Sequence, residues 1–490
     1  MWRWIGGAIA LVLLVLAGVV GYRTATFATP QPAFVTTPDL SRYAFDANAA
    51  AQHLGQAIRF RTVSLTGATS DEPAQFTQFH DWLARTYPAF YAAAKPEVIN
   101  GNGLLFRWTG SDPSLPPMLL LAHQDVVPVA DDTRSAWRYD PFGGEIHDGA
   151  IWGRGAVDDK GSLIGLLEAA DLLAKQGLKP KRTIIFAFGF DEEISGRQGA
   201  TQLAATLKAR GVRAWFALDE GLAILESHPL TGHRAALIGV AEKGFGTLRL
   251  TARAEAGHSS MPPHDTAISL LAEAVTRVHA MPIEHRLDGP TLAMMQALAP
   301  QLSPTNRMAL ANEWLFDPLL QQKFAETPAA NASAGTTVAP TVITGGVREN
   351  VLPLEATALI NLRIHPRDRA ADLLARARQA VAGLQGVTVE WNAPPDEASP
   401  VSRADTDSFT LIASLSHALV PDAPVAPSLV IGATDSRLYA DVAENVYRFQ
   451  PIIYTPEELE MIHGVNEHIS IANLERMIRF YAGLMQAGAM

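Results

Sequence analysis

With 490 residues and 48% hydrophobic content, the chain is long enough for two or more domains and supplies a core for each. A formal net charge of -11 argues against nucleic-acid binding, since phosphate recognition brings a basic face. No cysteine is present, which excludes disulfides, thiolate nucleophiles and thiolate ligands together and leaves His, Asp and Glu to hold any metal.

From Trp4 to Tyr22 the sequence is apolar without interruption, flanked by Arg3 and Arg23, with Trp2, Trp4 and Tyr22 where an interfacial aromatic belt sits. At about 1.5 Å per residue such a run just spans a bilayer core of about 30 Å. The expectation is a membrane anchor within residues 1–28, with the remaining chain outside the cytoplasm, periplasmic or extracellular. A cleaved signal peptide and a secreted protein are the alternative, with Thr26-Phe27-Ala28 as a weak small-x-small site. Residues 29–37, with Pro30 and Pro32, read as a linker.

Ala47 to Phe60 and Phe76 to Tyr91 have helical spacing, and Val98 to Trp108 reads as a strand. The apolar run Met118 to Ala122 is a short buried strand ending in His123-Gln124-Asp125-Val126-Val127-Pro128. The segment Gly153-Arg154-Gly155-Ala156-Val157-Asp158-Asp159-Lys160-Gly161 then precedes a helix, Ser162 to Lys175. Arg182 to Phe190 is a strand that ends in Asp191-Glu192-Glu193, Gln198 to Arg210 a helix, and Ala214 to Leu218 a strand that ends in Asp219-Glu220-Gly221. This alternation predicts an α/β fold, a largely parallel sheet flanked by helices.

Taken singly, these clusters have plain readings: a hydrogen-bonded His-x-Asp pair, a helix cap at Asp158-Asp159, solvated acidic turns. Three of them at one sheet edge bring carboxylates together whose repulsion calls for cations. Imidazole and carboxylate suit zinc, and adjacent glutamates allow one to ligate while its neighbour moves a proton.

Together with Gly257-His258-Ser259-Ser260 and Ile462-His463-Gly464-Val465-Asn466-Glu467, these motifs resemble the dizinc metallopeptidase family of carboxypeptidase S, aminoacylase and the glutamate carboxypeptidases. The likeness covers everything after residue 40 and is closest to the carboxypeptidase S branch, which includes N-fatty-acyl-amino-acid synthase/hydrolases. It implies two zinc ions per chain, with cobalt or manganese as substitutes. His123 and Asp219 would hold one ion, Glu193 and His463 the other, and Asp158 would bridge them ahead of a cis peptide bond. Glu192 would be the general base acting on a bridging hydroxide, and Asp125 would orient His123.

Beyond Glu242 the pattern changes to alternating strands, Thr247 to Ala252 and part of Val351 to Ile364, with helices Ala267 to Ala280 and Ala370 to Leu384. These match the family's α+β lid of two strand–helix units, inserted between catalytic segments 38–241 and 394–490 and placed at 242–393. Within it, 290–340 reads as an insertion, helical from Pro304 to Phe324 and low in complexity from Thr327 to Ala339. The resemblance assigns His258 to oxyanion stabilisation across a dimer, and Asn350 and Arg363 to the substrate carboxylate. Left to themselves, His258 reads as a turn cap and Arg363 as a surface residue. A homodimer through the lid is implied, with a monomer as the alternative where lid extensions replace the partner. The return segment carries a helix from Phe409 to Leu419, the loop Gly432-Ala433-Thr434-Asp435-Ser436-Arg437 and a last helix, Ile471 to Met485. His468 reads as a capping or surface residue.

The expected activity is cleavage of the amide bond in N-acyl amino acids or short peptides with a free C-terminal carboxylate. A carboxypeptidase or dipeptidase of small peptides is the neighbouring alternative. A non-catalytic binding protein is disfavoured because Glu192 and the bridging Asp158 are both in place.

Overall fold

The computed structural model describes residues 2–65 and 74–489. Its larger sheet has ten strands. At its centre Met118–His123 lies parallel to both Ile184–Gly189 and Phe216–Asp219, and the latter is parallel to Val446–Arg448. Every residue of the first two strands is buried, as a strand covered on both faces requires. Met118, Leu120 and Ala122 face one core, which includes residues of helices Ala47–Ile58, Lys160–Lys175 and Ile471–Gly488. Leu119 and Leu121 face a second core shared with helix Ala200–Ala209.

The sheet is mixed rather than parallel throughout. Gly103–Trp108 runs antiparallel to Ile184–Gly189, and Glu97–Ile99 folds back onto it. The strand expected over Val98–Trp108 is thus a hairpin, turned at Asn100 and Gly101 with φ of 47° and 95°. Two successive positive φ angles are what a tight hairpin turn demands, and Asn-Gly is the pair that adopts them most readily.

A separate four-stranded antiparallel sheet is built from Thr337–Gly345, Glu355–Ile364, Gly244–Arg253 and Val387–Trp391, in that order. Alternate residues of Gly244–Arg253 are buried, and helices Ala267–His279 and Ala370–Ala380 complete that core. Thr266 starts the first helix with a reciprocal cap to Ser269.

The insertion's helices do not join the lid's core. Helices Gly289–Leu298, Pro304–Ala311, Glu313–Ala325 and Pro328–Ala334 form a core with Ala235, Leu237 and Ala426 of the catalytic sheet. Gly289–Leu298 covers the strand Val425–Val430, whose only strand partner among the described residues is Ala235–Glu242. The low-complexity stretch is split between the helix Pro328–Ala334 and the lid's edge strand.

The backbone therefore crosses between catalytic body and lid at four places: Lys243, residues 280–288, residues 335–336 and residues 392–399. These crossings are tied to one another. Lys243 Nζ donates to the carbonyls of Ala332 (2.9 Å) and Gly335 (2.8 Å). Arg367 reaches Asp288 at 2.7 Å and the Ala334 carbonyl at 2.6 Å, and Ser399 N donates to the Glu242 carbonyl at 3.1 Å.

At the N-terminus stands one helix, Trp2–Ala25, long and apolar enough to cross a membrane, a character that a signal sequence shares.

Candidate metal centre and active site

His123 ends its strand with the ring almost wholly buried, 1% exposed. Nδ1 donates to the main-chain oxygen of Asp125 at 3.0 Å, with the Asp125 carboxylate 3.3 Å away. Nε2 is thereby turned toward Asp158 Oδ1 (3.0 Å) and Glu220 Oε1 (3.5 Å). From the other side, His463, at a φ of 59°, places Nε2 3.0 Å from Asp158 Oδ2 and 3.1 Å from Glu193 Oε2. Asp158 thus offers one oxygen to each imidazole, and the peptide bond after it is cis.

Ligand-type atoms of His123, Asp158 and Glu220, of Asp158, Glu193 and His463, and of His123, Glu192 and Glu193 each lie within 4.8 Å of one another. The Asp219-Glu220 pair divides. Asp219, the last residue of its strand, falls outside all three groups, and Glu220 lies beside His123. The sequence set two carboxylates side by side at Asp219-Glu220 and held nothing that chose between them.

The electrostatics ask for positive charge. Burial lifts the Glu193 and Glu220 carboxyls to about 7, with the Asp158 charge adding to each, and burial lifts Asp219 to about 6. Glu192 is held well above the ordinary range by burial first, and by the charges of Asp435, Glu193 and Glu220 against that of His123. Hydrogen bonds to Asp158 and Glu193 raise His463 to about 10. Glu193 Oε1 and Asp219 Oδ2 are buried without a hydrogen-bond partner. Oxygen and imidazole donors, crowded carboxylates and an orphaned carboxylate oxygen together fit divalent cations of the zinc type.

The surrounding residues hold this arrangement rigid. Both Asp125 carboxylate oxygens are used: Oδ1 accepts the N–H of Glu192, and Oδ2 accepts that of Glu193, each at 3.1 Å, together with Ser64 Oγ at 2.8 Å. One side chain therefore joins the histidine strand to the glutamate turn. Glu467, buried and paired with Arg154, gathers the N–H groups of Gly155, Val157 and Asp158. Gln450 donates to Asp159, Val157 and Ser162. Glu467 lay within the His463 motif without an assigned part, and Gln450 carried no sequence signal. His468 stacks on Trp152 at 4.0 Å, away from the cluster.

Arg363 is half-buried over the Phe245 ring, at 4.9 Å. Burial and the neighbouring charge of Arg437 lower its pKa, so two guanidiniums from different domains approach each other. Arg437 donates to the carbonyl of Ser195, two residues past Glu193. Arg363 thus neighbours an arginine that is itself bonded to the turn carrying Glu193. His258 and Asn350 are not brought there: both are exposed on a two-stranded ribbon, with bonds from His258 to Ser260 (2.8 Å) and from Ser259 N to Asn350 O (3.2 Å).

Comparison with known proteins adds three findings. Residues 119–487 match the model of peptidase family M20/M25/M40. The chain is 36% identical over 440 residues to an N-fatty-acyl-amino acid synthase/hydrolase of Xenopus tropicalis, covering 88% of this chain and 84% of that protein. It is 31% identical over 486 residues to carboxypeptidase S of Saccharomyces cerevisiae, covering 86% and 81%. Among solved structures, an M20 family metallo-carboxypeptidase from Sulfolobus solfataricus superposes with a TM-score of 0.64 at 17% identity, over 89% of this chain and 98% of that one. Human carnosine dipeptidase 1 gives 0.63 at 14% identity, over 93% and 100%. At these identities the two structures speak for the fold alone.

Proposed function

The chain belongs to peptidase family M20/M25/M40 and is a metal-dependent hydrolase of peptides or N-acyl amino acids; on that premise we propose a dizinc enzyme that cleaves N-acyl amino acids bearing a free carboxylate. The observation that carries this reading is Asp158, with an imidazole 3.0 Å from each of its oxygens. His123 and Glu220 would hold one ion, Glu193 and His463 the other, with Asp158 shared. Bound zinc supplies Lewis acidity, acidifying water and polarising the scissile carbonyl.

The remaining work falls to the protein's own side chains. The main-chain oxygen of Asp125 accepts the hydrogen bond of His123 Nδ1–H and leaves Nε2 as the ligand atom. Glu192, with its pKa raised by burial, accepts a proton from the attacking water and returns it to the leaving nitrogen. Arg363 and Arg437, which face each other with Asp396 4.0 Å from the Arg437 guanidinium, grip the substrate carboxylate. The acyl group named for the Xenopus relative supports N-acyl amino acids over peptides as substrates. Carboxypeptidase action on small peptides is the second reading, supported by the yeast relative.

The exposed edge strand Thr337–Gly345, with Val342 48% and Ile343 65% exposed, supports a homodimer through the lid. His258 and Asn350 would then act in the partner's site. The apolar helix supports an anchor that leaves the enzyme outside the cytoplasm.

Zinc-loaded and chelator-stripped protein, assayed on matched N-acyl amino acids and short peptides, tests the proposal. Zinc-dependent cleavage of the N-acyl amino acids is expected. Preferred cleavage of peptides would move the enzyme to carboxypeptidase, and a protein that binds two metals yet cleaves neither would be a binding protein.

A further inference from the structure

The N-terminal helix is not free of the folded body. Leu16, Val20 and Thr24, four residues apart, are partly covered while their neighbours are exposed, so one face of its last turns lies against helix Pro304–Ala311. Buried Asn312 donates to the Val20 carbonyl (3.3 Å) and to Thr24 Oγ1 (3.1 Å), and Arg23 Nε donates to the Ala311 carbonyl at 3.2 Å.

Asn312 opens the next insertion helix, Glu313–Ala325, which has two unlike faces. Leu320 and Phe324 are buried in the insertion core, whereas Trp314, Leu315 and Leu319 are 55%, 38% and 47% exposed, with Pro318 exposed among them. An uncovered Trp and two Leu on one helix face form an apolar patch that water does not favour. The depth agrees with what lies next to it. At about 1.5 Å per residue, Val20 sits about 3 Å and Leu16 about 9 Å inside the level of Tyr22. The helix that begins at Asn312 is therefore pinned at the boundary of any bilayer the N-terminal helix crosses. Trp favours that layer, and one apolar face is what a helix lying in it presents. The N-terminal helix is exposed over Trp4 to Val15, so its apolar side chains there, like the Trp314 face, have no cover among the described residues.

We propose that the Trp314–Leu315–Leu319 face lies in the interfacial layer of the membrane beside the N-terminal helix, so that the enzyme rests on the bilayer instead of hanging from a tether. This rests on the reading that the helix is kept as an anchor. The test uses the full chain in phosphatidylcholine vesicles and exploits the absence of cysteine. Nitroxide labels are placed at Leu315→Cys, Leu319→Cys, Val15→Cys and, as an exposed control on the lid, Glu390→Cys. Turnover equal to that of the unlabelled protein certifies each fold. Collision rates with oxygen and with an aqueous nickel chelate then report depth.

The expected result is oxygen-favoured collisions at positions 15, 315 and 319 and nickel-favoured collisions at 390. If 15 is shielded while 315 and 319 are as open to nickel as 390, the anchor stands and the proposal is overturned. If mass spectrometry of the membrane-expressed protein shows the helix removed, or 15 is open to nickel, the anchor reading itself has failed and the proposal with it.

Discussion

Arg154 and Glu467 form an ion pair at 2.7 Å, their side chains 3% and 0% exposed. The same carboxylate holds the N–H groups on the approach to Asp158, so it fastens the loop of His463 to the loop that aims the shared ligand. Glu467→Ala leaves a buried guanidinium unpaired and should cost about 3–5 kcal/mol of stability. Denaturant unfolding of the metal-free protein measures this. An unchanged midpoint would remove the fastening role.

Glu192→Gln should retain both metal ions and lose on the order of 10³-fold in kcat, because the proton carrier is removed while every ligand stays. Metal content and single-turnover rates check the two halves separately. Turnover near that of the unmodified enzyme would sink the assignment.

Glu220 and Asp219 separate cleanly. Glu220→Ala should weaken one metal more than the roughly 10–100-fold that an outer residue costs, and Asp219→Asn should leave both metals bound. Metal titration by calorimetry distinguishes them, and the reverse order would restore Asp219 as the ligand.

Arg363→Ala should raise KM by roughly 10- to 100-fold for substrates with a free carboxylate, the span expected for a hydrogen bond to a charged group. The corresponding carboxamide should be cleaved equally by both proteins. Equal losses on acid and carboxamide would show that the arginine serves folding instead.

Metal should matter most for stability at alkaline pH. In metal-free protein Glu193 and Glu220 sit at about 7 against an ordinary 4.5 because they are buried, so the folded state binds more protons than the unfolded one and stability falls as pH rises between those values. His463, raised to about 10 by Asp158 and Glu193, contributes stability that is full below 6.5 and lost as pH climbs to 10. Both act in one direction. The metal-free melting temperature should drop from about pH 5 to about pH 9, and the gain on adding zinc should widen with pH as bound protons are displaced. A gain that narrows instead would overturn the proton count.

His123, Asp125, Asp158, Glu192 and Glu193 were legible because each lies just past a glycine-containing turn or an apolar run at one sheet edge, whereas His463, between Ile462 and Gly464, was found by likeness. The position of Glu220 beside His123 was not legible, since which of two adjacent carboxylates faces the histidine depends on how the chain leaves the strand. His258 and Asn350 were assigned by likeness, and one chain alone keeps them apart from the cluster. The lid's strands and helices announce themselves by alternating and helical spacing. The seat of the insertion does not, because apolar residues such as Met294 and Leu298 declare that they will be buried but not against which sheet.

Four backbone segments join the lid to the catalytic body, and Lys243, Arg367 and Ser399 draw them together. Segments bonded to one another resist twisting and sliding, since either would stretch several at once, and leave hinge bending about them as the easier motion. Arg363 rides on the lid and Arg437 on the body, so the gap between their guanidiniums is a function of that bending. If the two arginines hold the substrate as proposed, opening the cleft and slackening the hold on a carboxylate are the same movement. An enzyme built this way would part with a carboxylate-bearing product only as the lid swings away.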